Sequence, residues 1–294
     1  MNHTEIDPRA TLDRLMAELR PRLHRYCARM TGSVIDGEDV VQEALLKAME
    51  AVSRAGPIEN AEGWLFRIAH NAALDFLRRR ARRESLHAEQ DLDMIADPVT
   101  AAEEREAAAA NLRTFMRLPT TQRSSVILRD VLGYSLDEIR DVTGQTLPAL
   151  KAALHRGRAR LQALNREPEE LPAPILSEPE RVRLARYVDR FNARDFDAIR
   201  DMLADDVRLE LVNRTRVTGR REVSNYFGNY SRLDDWELVP GLVERRPAVI
   251  VRDPRDRRLL YFVLLRWDED ELNGIRDFRY ARYALDGAEL VLAD

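Results

Sequence analysis

The sequence predicts a multidomain protein in which two all-α segments precede an α+β domain. Three features of its 294 residues lead to this fold class. Apolar residues recur at spacings of three and four through most of the first 165 positions, which is the period of amphipathic helices. Prolines at positions 168, 172, 174 and 179 then indicate an extended linker. Beyond them, several short runs alternate with a period of two, as strands do.

The first segment, residues 8–84, is predicted to form a bundle of three helices. The apolar face of the first helix consists of Leu12, Leu15, Leu19, Leu23, Tyr26 and Met30. The second helix begins with acidic residues, which the positive end of the helix dipole favours. Gly56-Pro57 predicts a loop after it, and the third helix runs from about Trp64 to Arg82.

The third helix has a polar face suited to nucleic acid. Arg67, Asn71, Asp75, Arg78 and Arg82 recur on it at spacings of three and four. Amide and guanidinium groups hydrogen-bond base edges, and guanidinium groups also bind phosphates. Five of the six residues in the range 78–83 are arginines, which is a candidate phosphate-binding stripe. A solvated helix end explains the same arginines, so the cluster alone leaves both interpretations open.

The second segment, residues 111–165, follows a polar and flexible linker over residues 85–110 and contains a predicted helix-turn-helix. A short helix ends before Gly144, and Pro148 marks the start of the next helix. The inward face of that helix has Leu150, Leu154, Gly157, Leu161 and Leu164. Its predicted outward side has Lys151, His155 and Arg158, with Arg156 and Arg160 on an adjacent face. Such a basic second helix is the one that enters the DNA major groove.

The α+β domain is predicted over residues 180–294, after a proline-rich linker at 166–179. In residues 260–265, the even-numbered and the odd-numbered positions are both apolar, so both faces of a strand there would be apolar. This is expected of a strand that is covered on both faces. Asp253-Pro254 and the arginines after it predict the turn of an antiparallel hairpin.

Composition argues against several classes of protein. No run of about 18 uncharged apolar residues occurs, so no membrane span or membrane partner is expected. The N-terminus has no apolar core of a secretory signal, and the single cysteine, Cys27, fits a reducing compartment, so a cytoplasmic location is expected. We find no metal-ligand cluster, phosphate-cradling glycine loop or nucleophile motif, and expect neither cofactor, metal nor catalytic residues.

Two ordered blocks of sequence resemble a known family. DGEDVVQEALLKAM (36–49) and WLFRIAHNAALDFLRRRARR (64–83) resemble domain 2 of extracytoplasmic-function (ECF) sigma factors of the sigma-70 family. LPTTQRSSVILRDVLGYSLDEI (118–139) and LKAALHRGRARL (150–161) are similar to their domain 4. The resemblance implies an RNA polymerase subunit that recognises promoters and initiates transcription, with the polymerase core (β′ clamp and β flap) and promoter DNA as partners.

The resemblance also implies roles for the matched residues. Those expected to face the β′ clamp are Asp36, Asp39, Gln42 and Glu43. Those expected to capture the melted −10 element, together with the loop 53–61, are Arg67, Asn71 and Asp75. Those expected to hold the surrounding phosphates are Arg78, Arg79, Arg82 and Arg83. Those expected to bind the −35 element are Lys151, His155, Arg156 and Arg158. Ala152-Ala153 replaces a polar pair common in this family, which predicts weaker or altered −35 specificity.

The α+β domain resembles SnoaL-like domains, cones of helices around a curved antiparallel sheet. The residues that carry this resemblance are YVDRFNARDFDAIRDMLADDVRLEL (187–211) and IRDFRYARY (275–283). The candidate pocket residues are Tyr187, Tyr226, Trp236, Arg276 and Asp277. A buried ion pair between Arg276 and Asp277 among ordinary sheet aromatics is the alternative interpretation. We expect this domain to modulate the sigma domains, with control by an unidentified small ligand left open.

Three classes of function are compatible with parts of this sequence. A sigma factor uses both helical segments, whereas a helix-turn-helix repressor uses only residues 118–164 and would bind duplex DNA alone. A bifunctional enzyme and regulator needs a catalytic constellation, and no histidine follows His155 to serve as its base. The sequence therefore favours the sigma factor.

Overall fold

A computed structural model describes residues 8–52, 54, 58–84, 111–166, 175–231 and 234–293. The chain divides into two compact units, an N-terminal unit of residues 1–169 and a C-terminal unit of residues 170–294. The predicted linker at 85–110 lies outside the described residues, as do positions 167–174 of the predicted proline-rich linker and positions 53 and 55–57 of the predicted −10 loop.

The N-terminal unit is entirely helical in the part that the structure describes. Its helices are α1 (Pro8–Thr31), α2 (Val34–Val52), α3 (Ala61–Glu84), α4 (Leu112–Met116), α5 (Thr120–Val126), α6 (Leu136–Thr143) and α7 (Leu147–Asn165), with a π-helical turn (Ile127–Val131) after α5. The three helices predicted for the first segment are confirmed. Leu19, Leu23, Tyr26 and Met30 are buried as their spacing predicts, and Leu15 is half-buried. Leu12 lies outside the residues whose side chains are described.

Local chemistry accounts for the helix-turn-helix. Ser135 and Glu138 form a capping box that starts α6, which satisfies two backbone N–H groups that a helix leaves unpaired. Gly144 ends α6 with a φ of 72°, in the left-handed region that a residue without Cβ adopts at little cost. Thr146 caps α7, and Pro148 follows in its first turn. The predicted turn and both helices are thereby confirmed.

The two helical segments pack around one hydrophobic core. The Phe66 and Tyr134 rings lie 5.1 Å apart between their centroids, and the Tyr134 hydroxyl donates to a Glu62 carboxylate oxygen at 2.6 Å. The buried Arg123 guanidinium donates to the Met30 carbonyl at 2.6 Å. One of these polar contacts is buried and the other is half-buried. Both are directional, so they set how the second segment lies against the first as well as adding stability.

In residues 175–231 and 234–293, the C-terminal unit has three helices and a seven-stranded sheet. The helices are α8 (Glu178–Asn192), α9 (Phe196–Asp201) and α10 (Arg220–Tyr230), with a short 3-10 turn (Arg282–Leu285). The strands are β1 (Leu203–Leu211), β2 (Thr215–Thr218), β3 (Glu237–Val243), β4 (Arg246–Arg252), β5 (Leu259–Asp268), β6 (Glu271–Asp277) and β7 (Leu290–Leu292). Their order across the sheet is β2-β1-β6-β5-β4-β3-β7.

The predicted α+β class is confirmed, with one addition to the sheet. Neighbouring strands are antiparallel except β1 and β6, which pair in parallel, so the sheet is mixed. β4 and β5 form the predicted hairpin, and the backbone N–H of Arg255 donates to the Asp253 carboxylate in its turn. α8 packs through Leu184, Tyr187 and Phe191, which recur at helical spacing and are buried.

Candidate nucleic-acid interface

The outward face of α3 brings together the residues predicted to bind the −10 element. Arg67, Asn71 and Arg78 are exposed, and Asp75 between them is half-buried. The spacing of three and four residues places all four on one side of the helix. Arg82 and Arg83 are also exposed in the last turn, where the negative end of the helix dipole favours cations. The face combines an amide for base edges with guanidinium groups for phosphates.

A charge cluster joins this face to α2. The Glu43 carboxylate accepts hydrogen bonds from Arg79 at 2.7 Å and pairs with Lys47 at 2.8 Å, and Lys47 lies 3.8 Å from Asp75. Burial raises the pKa of the Glu43 carboxyl, but the hydrogen bonds from Arg79 and Lys47 outweigh that effect and hold its pKa below the usual value. A DNA phosphate that binds Arg79 would therefore compete with the Glu43 carboxylate.

The outward face of α2 contains the residues predicted to bind polymerase, and two apolar residues besides. Asp39 is exposed, and Asp36, Gln42 and Glu43 are half-buried. Leu46 and Met49 continue the same face and are 52% and 39% exposed. Apolar side chains rimmed by charges are typical of a protein-binding surface. Leu46 and Met49 were not among the predicted polymerase-binding residues. The sequence held a signal for them, because both are apolar and neither lies on the inward face formed by Val41, Leu45 and Ala48.

The second helix of the helix-turn-helix, α7, is the predicted recognition helix, and it exposes less positive charge than the sequence predicts. Lys151 is exposed near its N-terminus, whereas His155 and Arg156 are half-buried and engaged in other interactions. Pro148 and Ala149 are exposed in the first turn.

One residue of the predicted −35 surface is not on the surface. The prediction that Arg158 faces outward is wrong, because this residue is only 5% exposed and its guanidinium forms a two-point ion pair with Asp130. The Nε donates to one carboxylate oxygen at 2.8 Å, and an Nη donates to the other. A guanidinium held in this way at a buried carboxylate positions the helix and is not available to DNA.

The C-terminal unit encloses a carboxylate among tyrosines. Asp277 is fully buried and accepts hydrogen bonds from the Tyr226 hydroxyl at 2.7 Å and the Tyr230 hydroxyl at 2.8 Å. The Arg279 backbone N–H donates to its other oxygen at 2.8 Å, and the Arg279 side chain donates to Tyr261 at 2.9 Å. Burial raises the pKa of Asp277 above its ordinary value, and the tyrosine hydrogen bonds offset this only in part.

Two of the other predicted pocket residues adjoin this cluster, and one does not. Burial raises the pKa of the Tyr187 hydroxyl, and the negative charge of the nearby Asp277 carboxylate raises it further. The Trp236 ring lies 5.7 Å from that of Tyr230, and its buried indole N–H has no hydrogen-bond partner among the described residues.

Arg276 lies on the opposite face of β6 and pairs with Glu210 at 3.1 Å, so the alternative of an Arg276–Asp277 ion pair is wrong. Tyr230, Tyr261 and Arg279 are not among the predicted pocket residues. Their side-chain contacts, Tyr230 with Asp277 and Arg279 with Tyr261, join separate elements of the chain.

Within residues 8–52, 58–84, 111–166, 175–231 and 234–293, no three His, Cys, Asp or Glu side chains are placed to hold one metal ion. None of the helices in those ranges combines the length and apolar character that crossing a membrane requires.

Comparison with known proteins assigns both helical segments. Residues 15–83 match the family model described as Sigma-70 region 2, and residues 112–161 match Sigma-70, region 4. The chain is 31% identical to ECF RNA polymerase sigma factor SigG of Mycobacterium tuberculosis over 218 residues. The aligned region covers 65% of this chain and 59% of SigG. It is 32% identical to SigM of the same organism over 156 residues, and this aligned region covers 53% of this chain and 78% of SigM.

The chain thus spans about three fifths of SigG. It is also similar to the crystal structure of the extracytoplasmic function sigma factor SigJ of M. tuberculosis. That similarity has 19% identity and a TM-score of 0.36, and it covers 90% of this chain and 95% of SigJ.

Proposed function

The chain belongs to the family of ECF RNA polymerase sigma factors, and we propose that it directs core RNA polymerase in the cytoplasm to specific promoters and initiates transcription there. The observation that carries the proposal is the polar face of α3, where exposed Arg67, Asn71 and Arg78 lie on one side of a helix within the Sigma-70 region 2 match. A helix-turn-helix repressor would leave that face without a role.

In the proposed function, α2 binds the polymerase core at the β′ clamp. Its acidic residues Asp36, Asp39 and Glu43 attract a basic partner, and Leu46 and Met49 supply apolar area that a partner helix covers. The second helical segment contacts the β flap in this proposal. Charge at the rim speeds association, whereas the buried apolar contacts slow dissociation.

Asn71 and Arg67 read an unpaired base of the −10 element, and the arginines at 78, 82 and 83 hold the phosphates beside it. Arg79 joins them once a phosphate displaces the Glu43 carboxylate, which links DNA binding to a residue of the polymerase-binding face. Phosphate contacts of this kind make binding fall steeply with salt concentration.

Binding both promoter elements at once requires the two helical segments to separate. The −10 and −35 elements lie roughly 25 base pairs apart, which is about 85 Å of duplex at ~3.4 Å per base pair. A compact unit of this size has a radius of gyration of only about 15 Å. The contacts of Tyr134 with Glu62 and of Arg123 with Met30 therefore break in the transcribing complex.

The C-terminal unit, in this proposal, regulates the sigma segments and is not an enzyme. Asp277 is enclosed by hydrogen-bonding partners, an arrangement that stabilises the fold and leaves no oxygen facing a substrate. The buried indole N–H of Trp236 supports binding of a small ligand with a hydrogen-bond acceptor.

Promoter-directed transcription tests the function. Purified core polymerase would be supplied with the full chain, and run-off transcripts would be sequenced from fragments of the host genome. Asn71→Ala and Arg67→Ala should each reduce specific initiation by at least about fivefold, because each removes a base contact worth about 1–3 kcal/mol. Arg14→Ala, at an exposed arginine of α1, is the matched control and should leave initiation unchanged.

Two further outcomes decide between the remaining functions. Absence of specific initiation, together with tight binding of the full chain alone to duplex DNA, would replace this proposal with the repressor. A chain that ends at Glu169, where the N-terminal unit ends, tests the regulatory role. Higher initiation than the full chain supports would make the C-terminal unit a brake, lower initiation would make it a helper, and equal initiation would contradict regulation.

A further inference from the structure

The outward face of the recognition helix has unusually few groups that can hydrogen-bond a base. Residues 148, 152, 155 and 159 form its central stripe, at spacings of four, three and four. Three of these positions are Pro148, Ala152 and Ala159, and only His155 is polar. Lys151 lies on one flank of the stripe, and Ala149 with Arg156 on the other.

The neighbouring positions add little that could reach a base. The Arg158 guanidinium is held by Asp130, and Ala153 is buried in the core. The Thr146 hydroxyl oxygen accepts the backbone N–H of Ala149 at 3.4 Å as the helix cap, which holds this side chain against its own helix. His155 and Arg156 are half-buried and have other interactions. The first two turns of α7, which in a helix-turn-helix reach the base edges, therefore present Pro148, Ala149, Ala152 and a single exposed cation.

Only one base presents an apolar group in the major groove. Thymine has a methyl group at C5, whereas the other bases offer donors and acceptors that an alanine or proline cannot match. We propose that this chain reads its −35 element chiefly through thymine methyl groups, which Pro148, Ala149 and Ala152 contact, while Lys151 binds a phosphate or a guanine. This inference rests on the proposed sigma function and deepens it by naming the chemical groups that are recognised.

Deoxyuridine tests the inference directly, because it pairs as thymidine does and lacks only the methyl group. Holoenzyme containing the full chain would be bound to a promoter recovered from the run-off experiment. Each −35 thymine on either strand would then be replaced in turn. Burying one methyl group is worth about 0.8 kcal/mol, so each contacted position should lose about fourfold in affinity. Replacement of thymines in the spacer between the two elements should have no effect.

A pair of matched variants identifies the protein side of the contact. Ala152→Ser puts a hydroxyl against the methyl group and should reduce discrimination between thymidine and deoxyuridine to less than twofold at one position. Ala159→Ser makes the same change two turns further along the stripe, on an exposed residue, and should leave the fourfold discrimination intact. Both sites lie on the outward stripe of a helix, so neither change disturbs the core.

Several results would overturn the inference while the sigma function stands. One is that holoenzyme binds the thymidine and deoxyuridine promoters equally well at every −35 position where other base changes weaken binding. Others are a −35 element with no thymine on either strand, or binding indifferent to −35 sequence. Failure of specific initiation at every promoter is different, since it removes the proposed function and this inference with it.

Discussion

The ion pair between Arg158 and Asp130 provides the sharpest test of the structure against the sequence. The resemblance places Arg158 among the residues that bind the −35 element, whereas the structure encloses it. The Arg158 and Asp130 side chains are 5% and 0% exposed, respectively. Replacing Arg158 with alanine leaves a carboxylate buried without its countercharge.

The expected cost follows from that burial. Breaking a buried ion pair by removing one partner costs about 3–5 kcal/mol, out of a total stability of about 5–15 kcal/mol. For a unit of this size, each kcal/mol lowers Tm by about 2–4 °C, so Arg158→Ala should lower Tm by roughly 10 °C. The double change Arg158→Met with Asp130→Leu removes both charges and should cost less than Arg158→Ala alone.

Thermal unfolding followed by circular dichroism measures this effect, since the N-terminal unit supplies most of the helices. Arg160→Ala, at an exposed arginine of the same helix, is the control and should change stability by no more than about 0.5 kcal/mol. If Arg158→Ala melts like Arg160→Ala and specifically weakens −35 binding, then Arg158 is a DNA contact and the structural reasoning fails.

Three other predictions follow from buried groups. Gly37→Ala should destabilise the N-terminal unit by about 1–3 kcal/mol, because the added Cβ would lie 2.6 Å from backbone atoms of Ala28. Urea unfolding measures this loss, and an unchanged midpoint would contradict the close crossing of α1 and α2. Cys27 should react with a thiol reagent only on unfolding, since burial raises the pKa of its thiol, and rapid labelling of the native chain would be the contrary result.

Asp277→Asn should flatten the pH dependence of stability. The raised pKa of Asp277 means that the native state binds more protons than the unfolded one, so stability falls as pH rises from about 3.8 through that raised value. Urea unfolding of both proteins across this range checks the sign, and parallel curves would refute it.

Much of the fold follows from local patterns in the chain. Helical spacing predicted α1, α2 and α3, and Gly144 with Pro148 predicted the turn and the start of the recognition helix. The alternation in residues 260–265 predicted a strand covered on both sides. These features depend on neighbours within a few residues, whose geometry the backbone period sets directly.

The site was predicted less completely, because its details depend on distant partners. The residues of the α3 face share one helix, so their spacing sufficed to group them. Arg158 lies at the edge between the inward and outward sides of α7, where period alone does not decide burial. Asp130, which is 28 positions away, decides it.

The sequence alone thus established the helical faces, the order of the two sigma segments and the α+β class of the C-terminal domain, since each is written in residue type and short-range spacing. Tertiary structure alone decided which polar groups meet. Arg123 reaches Met30 across 93 positions, and Tyr226 reaches Asp277 across 51. Such pairs form only when separate elements pack, because a buried polar group must find a partner wherever the fold brings one.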